Sequence, residues 1–592
     1  MNRIARPWIM MILLLALMPG SLQAAAGSRA DRRFVELYER EWIWRQAEFP
    51  LLAASVADPA EVRTLGEVDS RSQSRRLKYW QDVHRQLEKI DARALSPKHR
   101  VDAAVYRAQL EELIAGIESR VWLLPMNSDS SFWGDLAQGM SAQRLRTVAE
   151  AEAYLARLAD LPRFFEQHRV LLDEGLRTGM TVQQIVLDGR EQPIKDLAEQ
   201  AADATPYFQP FRALPSTWPD SERERLSGLA REVISKQVQP AYQSLHSYLA
   251  DTYIPAARKT LGAYALPDGE SFYQHQIKIY TTLDLAPEAI HDIGLAEVAR
   301  ILAEMEVVKQ DAGFDGDLAA FIAFLRTDPQ FYASSPRALL ERASYIAKRV
   351  DGLLPRYFGH LPRQPYGVEP VPASIAPFYT AGRYVPGSMD AQQSGTYWVN
   401  TFKLEARPLY ALPALTLHEA VPGHHLQGAI ASEADSLPPF RRYSYISAYG
   451  EGWALYTEYL GKEMGIYETP YEHFGRLTYE MWRACRLVVD TGVHAKGWTR
   501  EQARTYLGEH TALSLHEVNT EVDRYISWPG QALSYKLGEI EIRKLRGEAE
   551  RALGDKFDLR GFHDRILGLG SVPLPVLRNE IEAWIRDQSG KR

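Results

Sequence analysis

One cysteine, Cys485, occurs in 592 residues. No intrachain disulfide can form, so a fold of this size must be held by burial alone. The cysteine sits in MWRACRLVVDTG, whose apolar residues recur at helical spacing, and a buried, inert thiol is expected rather than a nucleophile. Long apolar runs are equally scarce. Beyond residue 18 no stretch approaches the roughly 20 residues that cross a bilayer, so no stable membrane insertion of the mature chain is expected. A basic surplus is missing as well. The formal net charge of −7 is small for the length and gives no reason to expect nucleic acid or an anionic surface as partner. Repeats of fixed period and low-complexity segments are absent too, which argues against a solenoid.

What is present begins at the N terminus. MNRIARPWIMMILLLALMPGSLQAAAG carries Arg3 and Arg6, then an apolar run over residues 8–18, then small residues at 24–26. This three-part pattern reads as a signal peptide over residues 1–26, hence export across the inner membrane to the periplasm. No cysteine lies near the cleavage zone, so a lipid anchor is not expected there. The chain exceeds one ordinary core, and two domains or a large two-lobed body are expected. A composition 45% hydrophobic and 24% charged is that of a globular protein.

Most of the chain reads as helix. AEAYLARLADLPRFFEQHRVLLDEGLR and similar stretches alternate apolar and charged residues at a period near 3.6, with prolines falling mainly between them. Composition shifts at LGAYALPDGESFYQHQIKIYTTLDL. We place a boundary there, between an N-terminal helical lobe (residues 27–265) and a catalytic helical region (266–592). SGTYWVNTF looks like a strand inside a Pro-, Gly- and Tyr-rich stretch. The expected architecture is mainly α, with two lobes flanking a central cleft and a small β element just before the sequence LTLHEAVPGHHLQ.

That last sequence places three of the chain's 15 histidines in the eight positions 418–425. His418-Glu419 begins like H-E-x-x-H, in which two histidines one helical turn apart bind zinc and the glutamate activates water. Here the fifth position is Pro422, and the next imidazoles are His424 and His425. On a straight helix, six positions leave a side chain about 120° off, and seven return it to the same face but about 10.5 Å away. Neither reaches a metal shared with His418. Pro422 cannot donate to the carbonyl of His418, and Gly423 permits unusual angles, so a bulged helix that absorbs extra residues is expected. Absorbing two residues serves His424 and absorbing three serves His425. His424 is preferred as ligand, with His425 as the alternative, or as a substrate contact.

A third ligand is needed, with one position left for water. SAYGEGWALYTEYLGKEMG supplies Glu451 and Glu458 on a helix. Glu451, 27 positions after His424, lies between Gly450 and Gly452, small neighbours that let a carboxylate approach a cation. A lone glutamate in that position would ordinarily be a solvated acid, and the histidine pair lacking a third ligand is what favours Glu451.

HEAVPGHHLQ, EGWALYTEYL, RLVVDTGVHAKGW and RYISWPGQALSYKLG resemble the signature blocks of the DUF885 family, and LPDGESFYQHQIKIYTTLDLAPEAIHDIGLAEVARILAEM resembles its middle region. The resemblance covers nearly all of the chain after the signal. It implies kinship with the zinc metallopeptidases that use a glutamate ligand (gluzincins), which include helical, deep-cleft oligopeptidases and carboxypeptidases. In these a glycine often precedes the second histidine, as Gly423 precedes His424. This chain departs from their uninterrupted H-E-x-x-H by two residues.

Glu419 is then the general base. Tyr525, Tyr535 and His494 are candidates to donate a hydrogen bond to the transition-state oxyanion, although buried tyrosines and histidines commonly just satisfy local partners. Arg524 could grip a substrate carboxylate, or pair with Asp523 or Glu521. Asp490 could orient a metal-bound histidine, or pair with Arg486 one helical turn earlier. Asn400 could bind substrate backbone, or serve a turn. The expected protein is an exported zinc-dependent hydrolase acting on a peptide or small amide, with one Zn2+ or another divalent metal. The alternatives are an amidohydrolase of non-peptide amides and a non-catalytic periplasmic binding or scaffold protein. Structural zinc sites use four protein ligands, often cysteines, and only three candidates occur here.

Overall fold

Thr469 accepts the backbone N–H of Glu472, Pro470 fills the first turn, and a 27-residue helix runs to Lys496, where Gly497 turns the chain at φ 72°. Every residue from Phe474 to His494 is buried. Helices therefore cover this one on all sides, and its charged residues need internal partners. They have them: Arg476 pairs with Glu480 at 2.6 Å, Glu480 with Lys536 at 2.9 Å, and Arg486 with Glu521 at 2.8 Å. Cys485 is buried on the same helix, and its thiol is pushed up by burial, as an inert residue should be.

This computed structural model describes residues 28–590 except 57, 129, 374, 390 and 391; the expected signal peptide lies outside the described residues. The protein is mainly α, 72% helical, with one small sheet. The elements that build the site are α1 (Pro97–Glu118), α2 (Gly269–Thr281), β1 (Tyr366–Pro370), β2 (Gly382–Val385), β3 (Gly395–Val399), α3 (Leu412–Glu419), α4 (His424–Ser432), α5 (Ser447–Glu463), α6 (Pro470–Lys496), α7 (Leu515–Ser527) and α8 (Ser534–Leu553). The helix Pro287–Asp311 packs along α6, and α5 packs along α8. Buried apolar residues from Phe34 to Ile581 join one continuous core, and a second, smaller cluster lies astride residue 265.

The sheet order is β1-β3-β2, with β1 parallel and β2 antiparallel to β3. Burial alternates along β3, with Gly395, Tyr397 and Val399 inward, the period-2 pattern expected of a half-covered strand. The Tyr397 hydroxyl meets Thr416 Oγ1 at 3.3 Å and fastens the sheet to α3. β2 is left as an edge strand beside the C-terminal end of α3.

Candidate metal centre

The helix that carries His418 and Glu419 does not bulge at the proline. It stops. Ala420 adopts φ −92°, ψ −116°, and a new helix starts at His424. A bulge was expected, and a complete break replaces it because Pro422 has no N–H to continue the ladder and Gly423 folds tightly back on α3. A Cβ added to Gly423 would lie 1.9 Å from the carbonyl oxygen of His418 and 2.4 Å from that of Leu417. Only glycine fits there.

One helix, α5, secures this break. Trp453 Nε1 donates to the carbonyl of Pro422 at 2.9 Å, and Thr457 Oγ1 donates to that of Leu417 at 3.0 Å. The same helix sends Glu451 and, two turns later, Glu458 to opposite sides of the His418 ring. Nδ1 donates to Glu458 Oε1 at 2.8 Å, while Nε2 lies 3.5 Å from Glu451 Oε2. His424 Nε2 approaches that same oxygen at 3.3 Å. The two imidazole planes are nearly perpendicular, with centroids 4.8 Å apart.

One nitrogen from each of His418 and His424 and one oxygen of Glu451 lie within 4.8 Å of one another. Ligand atoms about 2.0–2.2 Å from a tetrahedral ion are separated by roughly 3.5 Å, so the donor set fits a single divalent cation. Glu451 Oε2 is buried and has no hydrogen-bond partner among the described residues, as expected of an atom reserved for a ligand. Burial would depress the His418 imidazole, but Glu451 and Glu458 at its two nitrogens raise it to about 9. Burial would likewise raise Glu451, yet His424 and His418 hold its carboxyl well below the usual range. The His418 side chain is 3% exposed, whereas those of His424 and Glu451 are 15% and 13% exposed, so the cluster opens on one side. It opens into a cavity of about 1400 Å³, lined by His418, Glu419, His424 and Glu451 and, across from them, by α1 and α2.

Glu419, the next residue after His418, also lines this cavity. Its Oε2 accepts the backbone N–H of Tyr384 on the edge strand β2 at 2.8 Å. The hydroxyl of Tyr384 meets His425 Nδ1 at 3.1 Å. One edge-strand residue thus braces both sides of the helix break. It also accounts for His425, which is buried outside the cluster, packed against Tyr366 with ring centroids 4.6 Å apart, and held to about 4 mainly by burial. The structure brings His424, not His425, to His418 and Glu451.

The other sequence candidates separate into two groups. Tyr535 and Arg524 line the cavity, with the Tyr535 ring 6.4 Å from that of His418 and nearly parallel to it. Tyr525, His494, Asp490 and Asn400 do not, because their polar atoms are engaged elsewhere. The Tyr525 hydroxyl accepts from Trp482 Nε1 and Arg486 Nε. His494 accepts the N–H of Ala263 at Nδ1 and donates to the carbonyl of Tyr525 from Nε2, and burial lowers it to about 3. Asn400 donates to three carbonyls, of Ala376, Tyr379 and Thr380, which shapes the approach to β2. Asp490 takes hydrogen bonds from Tyr273 and Gly530 and touches neither metal-site histidine. Arg486 pairs with Glu521 instead of Asp490, and Asp523 pairs with Arg500.

Tertiary contacts add two residues to which the sequence assigns no role in the site. Glu458 does the orienting assigned to Asp490, and its spacing of seven from Glu451 (two helical turns, one face) was the available signal. Tyr445, 58% exposed in the cavity, donates its hydroxyl to Glu451 Oε1 at 3.1 Å. Its ring occupies the space beside Gly450, where a Cβ would come within 2.3 Å of it. Gly452 has a different task. It meets Gly538 backbone to backbone, and this close crossing of α5 and α8 brings Tyr535 over His418. The glycines flanking Glu451 therefore serve neighbouring elements, not the approach of the carboxylate itself.

Two solved structures share the fold. One is a presumed lipoprotein from Colwellia psychrerythraea, 28% identical, with a TM-score of 0.87 over 94% of this chain and 99% of that one. The other is a presumed lipoprotein of unknown function from Shewanella oneidensis, 18% identical, with a TM-score of 0.68 over 93% and 99% of the two chains. No curated protein matches the chain. Residues 50–581 match the DUF885 family, described as bacterial proteins of unknown function, and the chain belongs to that family.

Proposed function

We propose that the protein is an exported, metal-dependent hydrolase, a peptidase of short peptides, with zinc or another divalent ion held by His418, His424 and Glu451. The observation that carries this reading is the convergence of three donor atoms around one point on the wall of a large cavity, with the glutamate that follows His418 opening into the same space. When bound, the ion supplies a Lewis acid that polarises the scissile carbonyl and acidifies water. Glu419 takes the proton from the attacking water and passes it to the leaving amine. Tyr445 and Tyr535 line the same cavity, and their hydroxyls are our candidates to donate to the oxyanion. Glu458 holds the His418 ring so that Nε2 keeps its lone pair for the metal.

Two observations favour a peptide over other amides and over a binding protein. The edge strand β2 runs along the cavity beside Glu419, whose carboxylate accepts the Tyr384 N–H, and an extended chain can pair with the remainder of such an edge. Three protein ligands, of which His424 and Glu451 are partly open to the cavity, would leave a coordination position for substrate, unlike the closed four-ligand arrangement of structural sites. Export rests on the signal-like N terminus together with the lipoprotein description of the Colwellia psychrerythraea structure, and among the described residues no helix is long and apolar enough to cross a membrane. The test is metal analysis of the purified protein together with a Glu419→Gln variant. That variant is expected to retain the metal and to lose hydrolysis by about 10²–10⁴-fold. Unchanged activity, or protein that binds no divalent ion, would overturn the reading.

A further inference from the structure

Six carboxylates line the cavity: Glu111, Glu112, Glu118, Glu419, Glu451 and Glu521. Five are engaged. Glu451 belongs to the metal centre, Glu419 accepts the Tyr384 N–H at 2.8 Å, and Glu521 pairs with Arg486 at 2.8 Å. On α1, Glu111 lies 3.7 Å from His84 and 4.0 Å from Lys278, and Glu118 accepts from Gln81 Nε2 at 3.0 Å. Among the described residues only Glu112, of these six, has neither a hydrogen bond nor an ion pair. The cations of that wall are committed elsewhere. Arg107 pairs with Glu88 at 3.0 Å and Arg85 with Asp82 at 3.2 Å. Arg45, whose charge favours the ionised form of Glu112, is held by Glu41 at 2.8 Å.

The local sequence explains this isolation. Ala108 lies one turn before Glu112 on α1 and Ala115 one turn after, and both line the cavity. Their methyl groups offer no donor. The Glu112 side chain is exposed to the cavity, yet it lies so deep in the protein that burial pushes its carboxyl up to about 7. Tyr280 and Trp528 line the same cavity, with their rings edge to face at 6.2 Å and Trp528 Nε1 donating to the Tyr280 hydroxyl. Burial raises that hydroxyl to about 12, and the charge of Glu112 adds to the rise, so the acid and the ring share one part of the wall. A carboxylate without a donor, beside aromatic rings, suits a cationic nitrogen.

We propose that Glu112 receives an ammonium group of the substrate, its free amino terminus or a lysine side chain, so that the bound chain spans the cavity from the metal centre to α1. This rests on the hydrolase reading above and names its substrate class. The acid comes from the N-terminal part of the chain and the metal ligands from residues 418–451, so one substrate engages both. Glu112 projects from the body of a 22-residue helix, which fixes its backbone before substrate arrives. A cation there returns to the carboxylate the partner that its own wall withholds, and the charge-assisted contact is formed away from bulk water.

The probes are four pentapeptides of one sequence with lysine as second residue: unmodified, N-acetylated, with norleucine for lysine, and with both changes. With the zinc-loaded full chain, kcat/KM for the doubly neutral peptide should fall about 10–100-fold below that for the unmodified one, the scale of a hydrogen bond between charged groups. The two singly altered peptides show whether the terminus or the side chain is the group held. Glu112→Gln, shown folded by circular dichroism, should bring the unmodified peptide down to the level of the doubly neutral one. Glu118→Gln, on the same helix, should preserve the difference. Calorimetric titration of Glu419→Gln, with and without Glu112→Gln, reads the same discrimination without turnover. Equal binding of the unmodified and doubly neutral peptides, no binding of either, or a discrimination that survives Glu112→Gln would overturn the assignment. Discrimination in binding that Glu112→Gln removes, with no hydrolysis by the wild type, would leave the assignment standing and sink the hydrolase reading instead.

Discussion

Gly423 lies so close to His418 that a Cβ on it would sit 1.9 Å from the carbonyl oxygen of that histidine. The contact joins the end of α3 to the start of α4 and sets where His424 emerges relative to His418. A backbone oxygen cannot move aside as the end of a flexible side chain can, so Gly423→Ala has to push the two helices apart. We expect a stability loss of about 1–3 kcal/mol and at least a tenfold weaker affinity for zinc, read by chelator competition. Thermal melting with unaltered metal affinity would show that the break does not position the ligands.

Glu458 makes a second claim testable. Its carboxylate holds His418 Nδ1 at 2.8 Å, and Arg483 lies 3.4 Å away. Glu458→Gln keeps the shape but loses the charge and half of the acceptor capacity. Metal affinity should fall about 10–100-fold while helix content stays constant. A lower melting temperature with full metal affinity would reduce Glu458 to a partner of Arg483.

Tyr445 lies outside every motif, yet its hydroxyl reaches Glu451 Oε1 at 3.1 Å from a cavity-exposed position. Its donor can turn from the ligand carboxylate to a developing oxyanion without displacing a buried group. Tyr445→Phe should lower kcat by about 10²-fold and leave KM and zinc content within a fewfold. A change confined to KM would assign the residue to ground-state binding.

The extent to which these features are legible in sequence follows from their range. Helix class and the short strand at SGTYWVNTF depend on local periodicity, and the fold shows both. That the chain deviates at Pro422 is local as well, since the missing donor belongs to that residue. The form of the deviation is not local. A bulge and a full break satisfy the same proline, and what selects the break is α5 reaching across from residues 453 and 457 to the stranded carbonyls. Tyr525 and His494 show the converse. Both have the chemistry of a transition-state donor, and only tertiary contacts reveal that each is already spent. Arg524 and Tyr535 lie in the same block of sequence, but on the cavity side.

Asp490 provides the last prediction, and it concerns stability rather than the site. Burial pushes its carboxyl up from 3.8 to about 7, against the opposing hydrogen bonds from Tyr273 and Gly530. The folded protein therefore holds a proton there that the unfolded chain releases near pH 4. The contribution of this neutral carboxyl is fully present below pH 4, falls as pH rises, and is gone once the folded group ionises near 7. A shift of this size corresponds to a few kcal/mol, at about 1.4 kcal/mol per unit. Asp490→Asn keeps an oxygen to accept from both donors and removes the charge. Denaturant unfolding should find the variant similar to the wild type at pH 4, increasingly more stable from pH 5 to 7, and more stable by a constant margin above that. A gap that does not vary with pH would mean that the carboxyl titrates normally, and a variant less stable at pH 8 would mean that its charge is held by a partner other than Tyr273 and Gly530.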